Sequence, residues 1–231
     1  IPTLYLAEGF PYIVINTVST VLYADLGFAN EQIAFWTGWL YLPWILKMFW
    51  SPLVDARSTK RRWLLGAQTL LAALFLAVAA LTAWEAFTRA ADAGSLTFFS
   101  LSLFGFLAGA FVSATLDVAT DGYYLLALSP VEQSKFVGIR TIFYRLAMIL
   151  GSGAFVSVTA ALANRTPDLS LAVMPWPYNW AALFGFLGLL FLAFAAYHAH
   201  ILPRPAEDKP VRKNGGAAWA DSFKTYKKKK N

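Results

Sequence analysis

The stretch Ser113-Ala-Thr-Leu-Asp-Val-Ala-Thr-Asp-Gly-Tyr-Tyr-Leu-Leu-Ala-Leu128 decides how this chain is read. It sets two carboxylates, Asp117 and Asp121, inside a long apolar run. A carboxylate in hydrocarbon is costly unless it is paired, protonated or wetted by a cavity. The pair is therefore a candidate functional site. On a helix a step of four drifts only about 40° and a step of seven about 20°, so Asp117, Asp121 and Tyr124 share a face. Upstream, Gly105 and Gly109 form a Gly-x-x-x-Gly pair ahead of Ser113, a spacing that lets another helix approach closely.

Composition sets the surroundings. Charged residues make up 14% of the chain and hydrophobic ones 58%. A soluble domain carries about 25% charged residues, so this deficit indicates a polytopic membrane protein. There is no Cys, which excludes a disulfide framework and a Cys-ligated metal. The net charge of +6 is clustered in residues 57–62 and in the tail after Leu202. That is the positive-inside pattern of membrane proteins, not a groove for nucleic acid.

Six apolar segments suffice to span a bilayer, at about 20 residues each. They cover residues 4–23, 33–50, 63–84, 96–128, 136–163 and 180–200. Gly9 and Pro11 interrupt the first, Pro43 lies in the second, and Ser129-Pro130 ends the fourth. The loop 51–62 carries Arg57, Lys60, Arg61 and Arg62, whereas the loops at 85–95 and 164–179 carry one Arg each, Arg89 and Arg165. The basic loops belong in the cytoplasm, with both ends of this chain. Residues 1–202 then form a six-helix bundle, and residues 203–231 a Pro- and Lys-rich linker. Within that linker Trp219, Phe223 and Tyr226 recur at helical spacing, which suits either a helix lying on the inner leaflet or a disordered segment.

The third and sixth spans have no interior charge and read as peripheral. His198 and His200, at the end of the sixth, read as interfacial anchors. On the first span Glu8, Tyr12, Asn16 and Ser19 follow helical steps and form a polar stripe suited to a cavity wall. The fifth span carries Arg140, Tyr144 and Arg145. Counting outward from a turn centred near Glu132 puts Asp121 and Arg145 at similar depth, very roughly 15–20 Å in. Arg145 is thus the expected partner of Asp121 or Asp117. Arg140 lies shallower, and Lys47 is near enough to the cytoplasmic end to snorkel. These charges either clamp helices together or exchange partners. In the second case a carboxylate deprived of its Arg in a dry site takes up a proton, which couples proton movement to conformational change.

Several stretches carry a family resemblance. The loop Ser51-Pro-Leu-Val-Asp55-Ala-Arg57-Ser-Thr-Lys60-Arg61-Arg62 resembles, in degenerate form, the loop between helices two and three of the major facilitator superfamily. Residues 7–12 (AEGFPY), 41–47 (YLPWILK), 51–55 (SPLVD), 113–122 (SATLDVATDG) and 144–148 (YRLAM) resemble the AmpG-type muropeptide permeases. With the acetyl-CoA transporters these form one branch of the superfamily. The resemblance implies an all-α polytopic protein, the six-helix N-terminal half of a twelve-helix transporter working by alternating access. It implies proton-driven import of muropeptides or related peptide-sugars across a bacterial inner membrane. The expected substrate and proton pathway comprises Glu8, Tyr12, Asn16, Asp117, Asp121, Tyr124, Tyr144 and Arg145. The expected cytoplasmic gate comprises Lys47, Asp55, Arg57, Lys60, Arg61, Arg62 and Arg140. The implied partners are the lipid bilayer, a small-molecule substrate, protons and a C-terminal six-helix half. No cofactor, metal or nucleic acid is called for, and no enzymatic activity.

Two readings from other classes stand beside it. Asp117-x-x-x-Asp121-Gly122 loosely resembles the metal-binding Asp motif of lipid-headgroup transferases, but the spacing differs and the next span supplies Arg instead of Asp. A non-transporting scaffold built on a transporter fold is the other.

Overall fold

A computed structural model presents the chain over residues 1–88, 95–163 and 176–210. It is about 88% helical and has no strand among the described residues. Among the described residues six helical runs follow one another, one for each apolar segment.

The first run, α1, covers residues 2–25. It comprises an α-helix at Pro2–Ile13, a π-helical turn at Val14–Val18 and an α-helix at Ser19–Asp25. Pro11 sits inside it without ending it. The second run, α2, covers residues 30–57 and is repeatedly broken. Helix Asn30–Gly38 tightens to a 3-10 turn at Trp39–Tyr41. Pro43, four residues past Trp39, has no N–H to offer the Trp39 carbonyl, which accounts for the change. A short helix Leu42–Leu46, a 3-10 turn Lys47–Phe49 and a helix Ser51–Arg57 complete it.

The other four runs are long and apolar enough to cross a membrane: α3 (Lys60–Thr88), α4 (Leu96–Ala127), α5 (Pro130–Leu162) and α6 (Tyr178–Ile201). Helix α4 has 32 residues, about 48 Å at 1.5 Å each. Helix α5 begins six residues earlier than its apolar pattern, because a capping box fixes its start. The Ser129 hydroxyl accepts from the Glu132 N–H while the Glu132 carboxylate accepts from the Ser129 N–H. A π-helical turn at Leu150–Phe155 interrupts α5 as one interrupts α1. The two turns pack on each other, with Gly151 under Ile13.

Glycines set the closest helix approaches. A Cβ on Gly9 would lie 2.8 Å from Ala147 Cβ and 2.9 Å from the Tyr144 carbonyl oxygen, so α1 and α5 meet there almost backbone to backbone. Gly105 faces Val78 of α3 and Gly109 faces Ile15 of α1, so the Gly-x-x-x-Gly pair serves two neighbours. Gly188 of α6 packs against Leu76 and the Ala72 carbonyl of α3.

Helices α3 and α6 bury one face against each other, through Leu71, Phe75, Leu187 and Phe191, and leave Leu70, Phe186 and Leu189 outward. Outward-facing Phe35, Trp36, Trp39, Phe104 and Ile201 continue an apolar exterior suited to lipid. Two expectations are corrected here. His198 is not an interfacial anchor: it is fully buried, with Nδ1 2.9 Å from Gln68 Oε1 of α3 and Nε2 3.0 Å from Thr3 Oγ1 of α1. Only His200 is exposed. Glu85 is not a loop residue, because α3 continues to Thr88. Its buried carboxylate accepts from the Ser95 N–H (2.6 Å) and hydroxyl (3.0 Å), tying α3 to the N-cap of α4.

Substituting Gly9 by Ala forces α1 and α5 apart and should cost about 1–3 kcal/mol, read as a lower melting temperature in detergent. Gly138→Ala, on an open face of α5 with nothing within 4 Å, should be neutral or stabilising by up to about 1 kcal/mol.

Candidate functional site

Where α1, α2, α4 and α5 converge, a cleft of about 360 Å³ opens. Tyr5 and Glu8 line it from α1, and Trp44 and Lys47 from α2. Asp117 and Asp121 line it from α4, and Arg140, Thr141 and Tyr144 from α5. Each lining pair obeys helical spacing: three residues on α1 and α2, four on α4, and four from Arg140 to Tyr144.

The two carboxylates of α4 have different partners. Asp117 is ion-paired with Lys47, and its side chain is 13% exposed. Asp121 Oδ1 lies 3.3 Å from Arg140 Nη2 and accepts from the Tyr5 hydroxyl at 3.0 Å. The Arg140 guanidinium carbon is 4.8 Å from the Tyr5 ring centroid and 5.2 Å from that of Tyr124. The two rings meet edge to face at 6.0 Å. Arg140 is thus held by one carboxylate and two π faces, a cation–π setting that strengthens as water is excluded. The Tyr124 hydroxyl donates to the Gln133 carbonyl, which fixes that ring at the α4–α5 turn. The Trp50 indole N–H donates to Thr115 Oγ1 at 3.2 Å and pins the break in α2 beside Asp117.

The pairing differs from the expected one. Arg145 is exposed and makes no ion pair with Asp117 or Asp121. The capping box moves the turn from Glu132 to Ser129, so Asp121 is eight residues before it, Arg140 eleven after it and Arg145 sixteen after it. Helical side chains lean toward the N-terminus, which brings Arg140 back to the level of Asp121. Arg145 also lies about 140° around the helix from Arg140. Arg140 and Lys47 accordingly belong to the cleft rather than to the basic end. The α1 stripe is split as well. Tyr12 packs edge-on against Trp44 (5.1 Å) and Tyr41 (6.3 Å). Asn16 is buried and donates to the Tyr12 carbonyl at 2.9 Å, and Ser19 is buried against the Ile15 carbonyl. The π turn at Val14–Val18 rotates whatever follows it off the cleft face. Tyr5 was missed in the sequence, although it stands three residues before Glu8 on the same stripe.

At the basic end of the bundle Asp55 pairs with Lys60. The Lys60 aliphatic chain covers Gly122 of α4. Asp208 caps α3, accepting from the Lys60 N–H (2.6 Å) and the Arg61 N–H (3.0 Å). The Arg61 guanidinium donates to the Ala199 and Leu202 carbonyls at the end of α6, and the Tyr123 hydroxyl donates to the Pro203 carbonyl at 2.9 Å. Arg57 and Arg62 are exposed. Residues 203–210, the start of the expected linker, therefore lie against the bundle. The Trp219–Tyr226 segment and the loop residues Arg89 and Arg165 lie outside the described residues.

An all-α membrane protein with a cleft of paired charges is the class that this fold and site define. No family model matches the chain. It is 26% identical over 196 residues to an uncharacterized protein of Haemophilus influenzae, a match covering 82% of this chain and 40% of that one. It is 30% identical over 178 residues to an uncharacterized protein of Schizosaccharomyces pombe, covering 72% of this chain and 30% of that one. The chain thus spans well under half the length of these curated relatives.

A double-mutant cycle separates the two arginines. Asp121→Asn with Arg140→Gln should show a coupling of about 1 kcal/mol in denaturation, modest because both side chains are partly exposed. Asp121→Asn with Arg145→Gln should be additive within about 0.5 kcal/mol. Asp208→Ala removes a helix cap, should cost about 1 kcal/mol, and should open residues 203–210 to limited proteolysis.

Proposed function

We propose that this chain is the N-terminal six-helix half of a twelve-helix secondary transporter of the major facilitator type. On this reading α1 and α2 are membrane spans like the other four, despite their interruptions. The transporter is a proton symporter that imports a polar wall-derived solute, such as a muropeptide or peptide-sugar, across a bacterial cytoplasmic membrane, with both ends of this chain cytoplasmic. The observation that carries the reading is the cleft itself. Five ionisable side chains, Glu8, Lys47, Asp117, Asp121 and Arg140, converge from four helices on a cavity within the membrane-spanning bundle. These side chains line a cleft, and Lys47, Asp121 and Arg140 are part-exposed in it. Ionisable groups in that setting mark substrate and ion pathways. Broken helices beside such a site are a further mark of transporters, and α1, α2 and α5 are all broken within the bundle.

The greater length of the relatives leaves room for a facing second half. Alternating access then moves the two halves about the cleft, and the contacts of Asp55, Lys60, Arg61 and Asp208 hold the cytoplasmic end together in one state. A muropeptide, a coenzyme A ester and a short peptide each combine anionic groups with polar surface, and Lys47 and Arg140 suit any of them. The transferase reading is the weaker one, because the two α4 carboxylates already engage Lys47 and Arg140, which would repel a metal ion.

Full-length protein in proteoliposomes should take up muropeptide when the outside is acidic and should acidify the lumen as it does so. Uptake indifferent to the proton gradient overturns the symport mechanism. Transport of a coenzyme A ester in place of muropeptide reassigns the substrate within the same branch.

A further inference from the structure

Three carboxyl groups face the cleft, and two have cations. Asp117 holds Lys47 and Asp121 holds Arg140. Glu8 has neither. It is only 7% exposed, and its Oε2 has no hydrogen-bond donor among the described residues. Asp117 lines the same cleft from across the α1–α4 interface. When ionised both groups only accept hydrogen bonds, so neither can satisfy the other without a proton.

We propose that Glu8 is the group that binds and releases the coupled proton. The inference rests on the transport reading above and identifies the residue through which that coupling runs. Protonating Asp117 or Asp121 would break the ion pair that each makes with Lys47 or Arg140. Protonating Glu8 breaks none. It brings the cluster from three negative charges against two positive to an exact balance, the lower-cost state in a medium of low dielectric. The proton enters from the water of the cleft, rests on a Glu8 oxygen against Asp117, and returns to water on the other side of the membrane.

Every group facing Glu8 bears on this exchange. From α4 these are Asp117 and Asp121; from α2, Lys47; from α5, Tyr144 and Arg140; from α1 itself, Tyr5 and Tyr12. His198 of α6 bonds Thr3 of α1, away from the cleft. Loss of the proton sets a second negative charge beside Asp117, so Lys47 must then serve two carboxylates. Glu8 also precedes Gly9, a close contact of α1 with α5. A change of charge at Glu8 thus acts where α1 meets α4 and α5, and this ties proton binding to helix separation.

The test needs no substrate. Infrared difference spectra of the full-length protein in nanodiscs, recorded across a pH step, should show a protonated-carboxyl band that disappears in Glu8→Gln. In Asp117→Asn and Asp121→Asn the band should remain but move to lower pH, because each variant removes one negative charge and leaves a cation free to balance Glu8. A band that survives Glu8→Gln, or that keeps its wild-type pH dependence in Asp117→Asn, overturns the proposal. Gln is the neutral isostere of protonated Glu, so this variant should melt at the wild-type temperature. Should it not fold, Glu8→Asp, which keeps a carboxyl, must retain the band, and its absence there counts equally against the proposal. In proteoliposomes Glu8→Gln should lose accumulation of labelled muropeptide driven by a pH gradient. A Glu8-dependent band without uptake of any probe by wild type sinks the transporter reading and leaves Glu8 as a proton-binding site.

Discussion

Everything near the cleft follows from the demand of the two α4 carboxylates for counter-charge in a medium that solvates ions poorly. Helix α4 cannot supply it, since residues 96–127 contain no cation. The charge has to come from neighbours at the right height. The break at residues 47–50 turns Lys47 out of a regular helix toward Asp117, and the Trp50–Thr115 bond holds it there. The capping box at Ser129 sets the register of α5 so that Arg140 meets Asp121. Local backbone irregularities thus serve an electrostatic end. Had α2 been a straight helix, or α5 begun at residue 136, the same side chains would have passed each other.

The rest of the bundle supplies closeness and rigidity around that pairing. Gly9 and Gly151 let α1 and α5 approach almost to backbone contact, with a π turn in each helix at the shared level. Small residues are the usual means of helix packing where lipid competes as an equally apolar solvent. Away from the cleft, buried polar groups satisfy one another. His198 links Gln68 and Thr3 across three helices, and Asp25 receives the indole N–H groups of Trp176 and Trp180 at 2.8 and 2.7 Å. These bonds fix the outer helices, so that α1 is anchored on one side and charged on the other.

The helical class and the run of apolar segments were legible because bilayer thickness imposes a length of apolar sequence. Asp117 and Asp121 were legible because charges in such a run are rare, and Glu8 because it begins a stripe at helical spacing. Less legible was which charge meets which. Arg145 looked as good as Arg140 by depth, because depth counting ignores rotation about the axis and places the turn by hydropathy. The motif Ser129-x-x-Glu132 was available to correct it. Tyr5 was available too, three residues ahead of Glu8. The split of the stripe at Val14–Val18 had no such cue: a π turn answers to the helices packed on it and leaves no mark in composition.

Hydropathy, charge placement and spacing by themselves determined that this chain is helical, that it suits a membrane, and that a few ionisable residues stand in apolar surroundings. Those properties depend on residue type and near neighbours along one helix. Tertiary structure alone decided the pairs Lys47–Asp117 and Arg140–Asp121, the isolation of Glu8, and the clamping of residues 203–210 by Asp208 and Tyr123. The contacts join residues from different segments of the chain, and each depends on helix rotation and close approach to within an ångström. The steep distance dependence of electrostatic and packing energies makes that ångström decisive. Ser113 to Leu128 therefore announces that counter-charges are required, and the packing of its neighbours selects them.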